Sequence, residues 1–344
     1  MSKTNRLRLA FFGEGEGAER WAAALGGLAQ VCLRPERLPE SIDAVVIAPG
    51  ARHPVARAQE ALEAAVPVLY AAPFRLSPRQ ATNLQELSER QGTVLCFAEP
   101  FLHRPGFAFL RRLLGGKEPI WHPLYLRTLC LAQPESGVRL DELAAEELAM
   151  CQGLLESEPL QVTAVASRRD SVGELCAVFL TVQYRHGPLV QCTVSLAEAV
   201  MARRLIAAAQ GRTIILDELD PVSPLRIVAG SEPEPFLRYS GEPAARGHAD
   251  SRSCKRRSDP IIEEAKRFVE AVSSGDGSAA NVERWVRVAM LWRAARRSVS
   301  LGAPVAVAPL MPRKTEPPPL KVMRGGGKAG SPAGRRPALT LVAS

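Results

Sequence analysis

Long apolar runs are absent: no stretch of the 344 residues approaches the ~18 consecutive apolar positions that a membrane span requires. The opening "MSKTNRLRLAFFGEG" also lacks the long apolar core and cleavage site of a secretory signal. These two absences predict a cytoplasmic protein without a membrane partner. The seven cysteines form no Cys-x-x-Cys pair, and most lie inside apolar runs. Buried, reduced thiols are therefore expected, with no disulfide and no bound metal. Histidine is scarce, with five residues, so every imidazole can be considered in turn. No internal repeat is present. The net charge of +8 is also less than it looks. Between Pro312 and Ser344, seven Lys/Arg face the single acid Glu316, which places +6 of the total there and leaves +2 on the rest. A nearly balanced body does not offer the basic face of a nucleic-acid binder. The short basic run "SRSCKRRSDP" lies in a polar stretch with no aromatic residue interleaved.

What is present is ordinary globular material, with 46% hydrophobic and 23% charged residues. The length exceeds what one core usually supports, ~250 to 300 residues, so two domains are expected. Residues 1–120 alternate short apolar strands with helices. "RLRLAFF", "AQVCL", "DAVVIAP", "VPVLYAA" and "TVLCFAE" read as strands, while "AERWAAALGGLA", "PVARAQEALEAA" and "SPRQATNLQELSERQG" read as helices, the last with Ser77 as N-cap. That rhythm predicts parallel βαβ units in a doubly wound sheet. The pattern then changes. After the helical "RLDELAAEELAMCQGLLES" come longer alternating segments, among them a hairpin turning at His186-Gly187, which predict a second, mostly antiparallel sheet over 121–311. Two helices close this domain, and Trp285, Val286, Val288, Met290 and Trp292 fall at helical spacing for core or dimer packing. Residues 312–344 are rich in Pro and Gly without hydrophobic periodicity and are expected to be a disordered basic tail. The fold class is thus α/β: an N-terminal Rossmann domain followed by an α+β domain.

Between the first strand and the first helix stands Gly13-x-Gly15-x-x-Ala18. Gly13 permits a tight turn, Gly15 lets the backbone approach a pyrophosphate, and Ala18 allows close packing beneath a helix N-terminus aimed at the phosphates. Glu14 and Glu16 place negative charge beside that position, so a glycine turn that holds no cofactor is the competing reading. At the end of the second strand Arg34 stands where an acid would hold the ribose hydroxyls of NAD. A basic residue there either favours the 2′-phosphate of NADP or is a solvated loop charge. NADP is the first expectation and NAD the second.

The order of these segments resembles the Gfo/Idh/MocA family of dehydrogenases, which includes glucose-fructose oxidoreductase and inositol dehydrogenase. The glycine turn, "DAVVIAPGARHPVARAQEALEAAVPVLYAAPF", "GTVLCFAEPFLHRPGFAFLRRLL" and the C-terminal "FVEAV" through "WRAARRSVSLGAPVAV" carry the resemblance across residues 6 to 309. It implies a nicotinamide cofactor, a sugar or polyol substrate and a homodimer formed on the open sheet. Pro49, His53 and Pro73 match the family's cofactor crevice. Two departures stand out. Where members carry Glu-Lys-Pro, this chain has Ala71-Ala72-Pro73, and alanine cannot donate a hydrogen bond or move a proton. The helix opening the second domain lacks the family's histidine, and Glu146 or Glu147 stands near its place, either as a base or on a solvated face. Glu99 and His103, at the tip of the last Rossmann strand, are the remaining acid-base candidates, with helix capping or loop tethering as the alternative. Two functions follow: an NAD(P)-dependent oxidoreductase with rearranged acids, or a catalytically inactive relative that serves as a binding or regulatory partner.

Overall fold

A computed structural model describes residues 6–33, 35, 38, 41–114, 122–133, 138–155, 157–168, 174–229, 233–237, 259–275 and 280–309. Arg34, the basic run around Cys254 and the expected tail lie outside them. One compact unit ends at Pro309.

The first sheet contains β1 (Arg8–Phe12), β2 (Gln30–Leu33), β3 (Ala44–Ile47), β4 (Val68–Tyr70) and β5 (Leu95–Phe97), all parallel, in the order β2-β1-β3-β4-β5. From β1 the chain steps to one side through helix α1 (Glu16–Gly26), and from β3 to the other side through α2 (Pro54–Glu63). Because parallel crossovers are right-handed, that reversal puts α1 and α2 on opposite faces. Both faces are consequently covered, and β3 and β4 are buried at every position, as their unbroken apolar runs require. Helix α3 (Pro78–Gln91) begins as expected at Ser77, whose hydroxyl accepts from the Gln80 N–H while the Gln80 side chain returns to the Ser77 N–H.

The second sheet has nine strands. Its members are β6 (Tyr125–Leu131), β7 (Pro159–Arg168), β8 (Leu175–Tyr184), β9 (Leu189–Ser195), β10 (Ala202–Ala209), β11 (Arg212–Asp217), β12 (Leu225–Val228), β13 (Pro233–Leu237) and β14 (Val305–Ala306). Their order is β13-β12-β11-β10-β6-β9-β8-β7-β14, and every pair is antiparallel except β6 with β9. Helices α5 (Leu140–Leu155) and α7 (Ala280–Leu301) cover one face. Among the described residues the other face is open, with Val165 and Phe179 exposed on it.

Helix α4 (Pro105–Leu114) precedes this sheet, and α6 (Pro260–Ser274) returns from it to the first. Ala265 and Phe268 of α6 join Trp21, Leu25, Phe11 and Val46 in one core. Helix α7 closes the outer edge of β5, where the Asn281 amide exchanges hydrogen bonds with both the N–H and the carbonyl of Phe97. An edge strand that would otherwise present unpaired backbone is thereby satisfied. The thiols are free, and four of the six described ones are buried; Cys32, on the edge strand β2, is instead exposed.

Candidate functional site

In an open parallel sheet the binding crevice lies outside the carboxyl ends of the strands where the winding reverses, here between β1 and β3. Gly13 fits there only as glycine, since an added Cβ would lie 2.7 Å from the Ala48 Cβ and 3.0 Å from that of Ala18. Gly15 caps α1 with φ at 86°, and a Cβ on it would meet nothing within 4 Å. The space above the turn is therefore open. The Glu16 and Gly17 N–H groups open the helix and have no carbonyl one turn back to bond. Opposite, the Pro49 carbonyl accepts from the Glu14 N–H at 3.0 Å and the Pro49 ring rests against Gly17. Gly50, at φ 74°, touches the Glu14 backbone so closely that any side chain would collide with its carbonyl. The two turns form one rigid lip. Glu14 is half-exposed with Arg52 3.7 Å away, which tempers its charge. His53, four residues beyond Pro49, is exposed and caps α2 in a left-handed conformation, φ 51°, without a side-chain capping bond. The turn, the open space and the free helix end fit a dinucleotide's pyrophosphate.

At the tip of β4, Ala71, Ala72 and Pro73 are buried, the last opening a short 3₁₀ turn, Pro73–Arg75. No lysine among the described residues replaces the missing one: the sole example, Lys266 on α6, is bound to Glu263 at 2.7 Å. Directly after Pro73, beginning at Phe74, a cavity of about 550 Å³ opens between the starts of α3 and α5 and one side of α7.

The three acid-base candidates are not gathered into one group. Glu99 is fully buried; Arg284 of α7 donates to its Oε2 at 2.6 Å, while Oε1 has no partner among the described residues. Burial pushes its carboxyl above the usual range despite that guanidinium. The Glu99 N–H donates to Oε1 of Glu264 on α6, whose Oε2 lies 2.7 Å from Nε2 of His103. Glu99 and His103 thus share a carboxylate that ties the end of β5 to the returning helices.

Glu146 belongs to a different cluster. Arg104 and Arg203 each reach its Oε1 at 2.8 Å, and both guanidiniums also bind Glu218. Burial would raise the Glu146 carboxyl, but the two arginines outweigh it and hold it below the usual range. Its neighbour Glu147 is 1% exposed, and burial pushes it up to about 7, against the pull of Arg203 and with the repulsion of Glu146 and Glu218. The solvated-face alternative is corrected by this geometry: Glu147 is buried and Glu146 only about a quarter exposed, and arginines rather than bulk water hold both carboxylates. Arg104, Arg203, Glu218, Glu264 and Arg284 were not legible as partners in the sequence, although an arginine pair inside the apolar "MARRLIAAA" marked β10 as unusual. Among the described residues, no group of three or more His, Cys, Asp or Glu is arranged to hold a metal ion.

A parallel sheet under a glycine turn, followed by an open sheet that sends helices back to it, is an architecture shared with known proteins. No protein-family model matches the chain, and no curated protein does. Solved structures do. UDP-N-acetylglucosamine 3-dehydrogenase GnnA from Acidithiobacillus ferrooxidans is similar with a TM-score of 0.69 at 20% identity, over 86% of this chain and 98% of that one. GenD2 from gentamicin A biosynthesis, in complex with NAD, gives 0.70 at 19% identity, over 90% and 98%. A mutant of KijD10, a 3-ketoreductase from Actinomadura kijaniata, in complex with TDP-benzene and NADP, gives 0.67 at 18%, over 86% and 98%. At these identities the likeness establishes the fold, and the architecture implied by the family resemblance is the one observed. No helix among the described residues is long and apolar enough to cross a membrane.

Proposed function

We propose that the chain is an NAD(P)-binding, oxidoreductase-like protein of Gfo/Idh/MocA type acting on a sugar or polyol hydroxyl/carbonyl pair. The observation that carries this reading is the open lip formed by Gly13, Gly15, Ala18 and Pro49 at the reversal between β1 and β3. The N–H groups of Glu16 and Gly17 would hold the pyrophosphate at the positive end of α1. Pro49 and the loop reaching His53 would flank the nicotinamide half, and Pro73 would border it from the β4 tip. When bound, the cofactor supplies the hydride chemistry, and the chain's part is to place the substrate carbon against it and exclude water. Arg34 supports NADP ahead of NAD. Cytoplasmic location and pairing of two copies through the open sheet belong to the same reading.

A second reading, a catalytically inactive relative, is favoured by two alanines at the β4 tip and by the ion pairs that occupy Glu99, His103 and Glu146. Calorimetric titration with NADPH and NADH tests the first of these. Micromolar binding by the parent and at least tenfold weaker binding by Gly15→Val, whose side chain would fill the space above the turn, are expected. No binding tighter than millimolar, about −4 kcal/mol, would exclude the oxidoreductase reading and leave an inactive relative that acts as a binding or regulatory partner. If the nucleotide binds but no sugar or polyol changes its absorbance at 340 nm, in keeping with the lost lysine, the inactive reading stands.

A further inference from the structure

The cavity beyond Pro73 is separate from the glycine lip: none of Gly13, Gly15, Ala18, Pro49 or His53 lines it. Four arginines do, Arg75, Arg139, Arg293 and Arg296, against two acids, Asp141 and Glu142. The acids are already engaged. Arg75 donates to Glu142 through Nε at 3.2 Å and Nη2 at 2.7 Å, and Arg139 lies 3.6 Å from Asp141. Arg293 and Arg296 remain, and neither guanidinium has a hydrogen-bond or ion-pair partner among the described residues. They stand three positions apart on α7, on the side that also presents Trp292 and the small Ala289 to the cavity. Like charges at that spacing repel each other.

The start of α3 adds to this positive field. Ser77, Pro78 and Gln80 open into the same space, and the first turn of α3 carries no acid to offset the helix dipole. The start of α5, by contrast, has Asp141 and Glu142 of its own. Phe74 and the mostly buried Trp292 supply a flat apolar wall beside these charges. A volume of about 550 Å³ is within the range that holds a small metabolite.

We propose that this cavity is a binding site for an oxyanion-bearing small molecule, with the phosphate or carboxylate group held by Arg293 and Arg296 and a ring packed on Trp292. Paired guanidinium forks suit either oxyanion, since both present two acceptor oxygens to parallel N–H donors. The site does not depend on the nicotinamide reading, because no residue of the glycine lip takes part. Calorimetry at low salt with pyrophosphate in one arm and citrate in the other tests it and separates the two chemistries. Sub-millimolar binding of one or both is expected, weakened at least tenfold in the Arg293→Ala/Arg296→Ala double variant. Arg297→Ala, an exposed neighbour on α7 outside the cavity, should bind as the parent does. Melting curves on all variants guard against misfolding, since both substituted arginines are exposed. The proposal is overturned if neither probe binds below millimolar, if the double variant binds like the parent, or if Arg297→Ala loses as much affinity. Failure to bind NADPH or NADH would leave it untouched.

Discussion

A carboxylate buried among arginines is held by the balance between lost hydration and recovered charge, and α5 shows both results one residue apart. Glu146 meets two guanidiniums and is kept ionised, whereas Glu147, enclosed beside it, is pushed up to about 7. The groups facing Glu147 are Arg203 from β10, Glu146 and the Cys151 thiol on its own helix, Glu218 beyond β11, and Thr128 and the Cys130 thiol from β6. In the unfolded chain the same carboxyl loses its proton near 4.5. Between those two values the native state binds more protons than the unfolded one, so this group lowers stability as pH rises from about 4.5 to about 7 and changes nothing above that. Glu147→Gln keeps the shape but cannot ionise. We therefore expect the variant to exceed the parent by about 3 kcal/mol at pH 8 and to differ little at pH 4.5, as read from urea midpoints. A constant difference across that range would mean the carboxyl does not titrate there.

Among the elements, legibility followed how local the cause was. The glycine turn, the Ser77 cap and the hairpin at His186-Gly187 depend on a few adjacent residues, and the structure has each where it was expected. β10 was not legible, because "ARRLIAAA" is alanine-rich and its strand form comes from pairing with β6 and β11. Nor was the pairing of Glu99 with Arg284, which are 185 positions apart, or of His103 with Glu264. The open face of the second sheet came from the family resemblance rather than from the strand pattern. Val165, Phe179, Thr193, Leu129 and Arg204 form one cross-strand row over β7, β8, β9, β6 and β10, with Val165 and Phe179 at 65% and 50% exposure. Large apolar side chains in such a row fit a self-complementary interface between two copies. Light scattering should give the parent a dimer mass, and Val165→Asp/Phe179→Asp should halve it with little cost to the monomer, since both side chains are already exposed. A monomeric parent at tens of micromolar would exclude this face as the dimer contact.

For the whole molecule, charge and compactness divide at nearly the same place. The compact unit ends at Pro309, and past it the sequence adds seven Lys/Arg and one acid, most of the net +8. Within the unit, several arginines are committed: Arg104, Arg203, Arg204 and Arg284 each bind a carboxylate at 3.0 Å or less. Attraction to polyanions should then come mainly from the last 35 residues and vary with salt, whereas folding stability should come from the two sheets and their covering helices. A version ending at Pro309 is expected to leave heparin at clearly lower salt than the full chain, while its thermal midpoint stays within about 2 °C, less than a loss of 1 kcal/mol would produce. Equal retention would move the anion-attracting surface into the folded body, where the arginines at the cavity beyond Pro73 are the next to vary. A large drop in midpoint would instead mean that the last 35 residues pack on the body and that its stability does not end at Pro309.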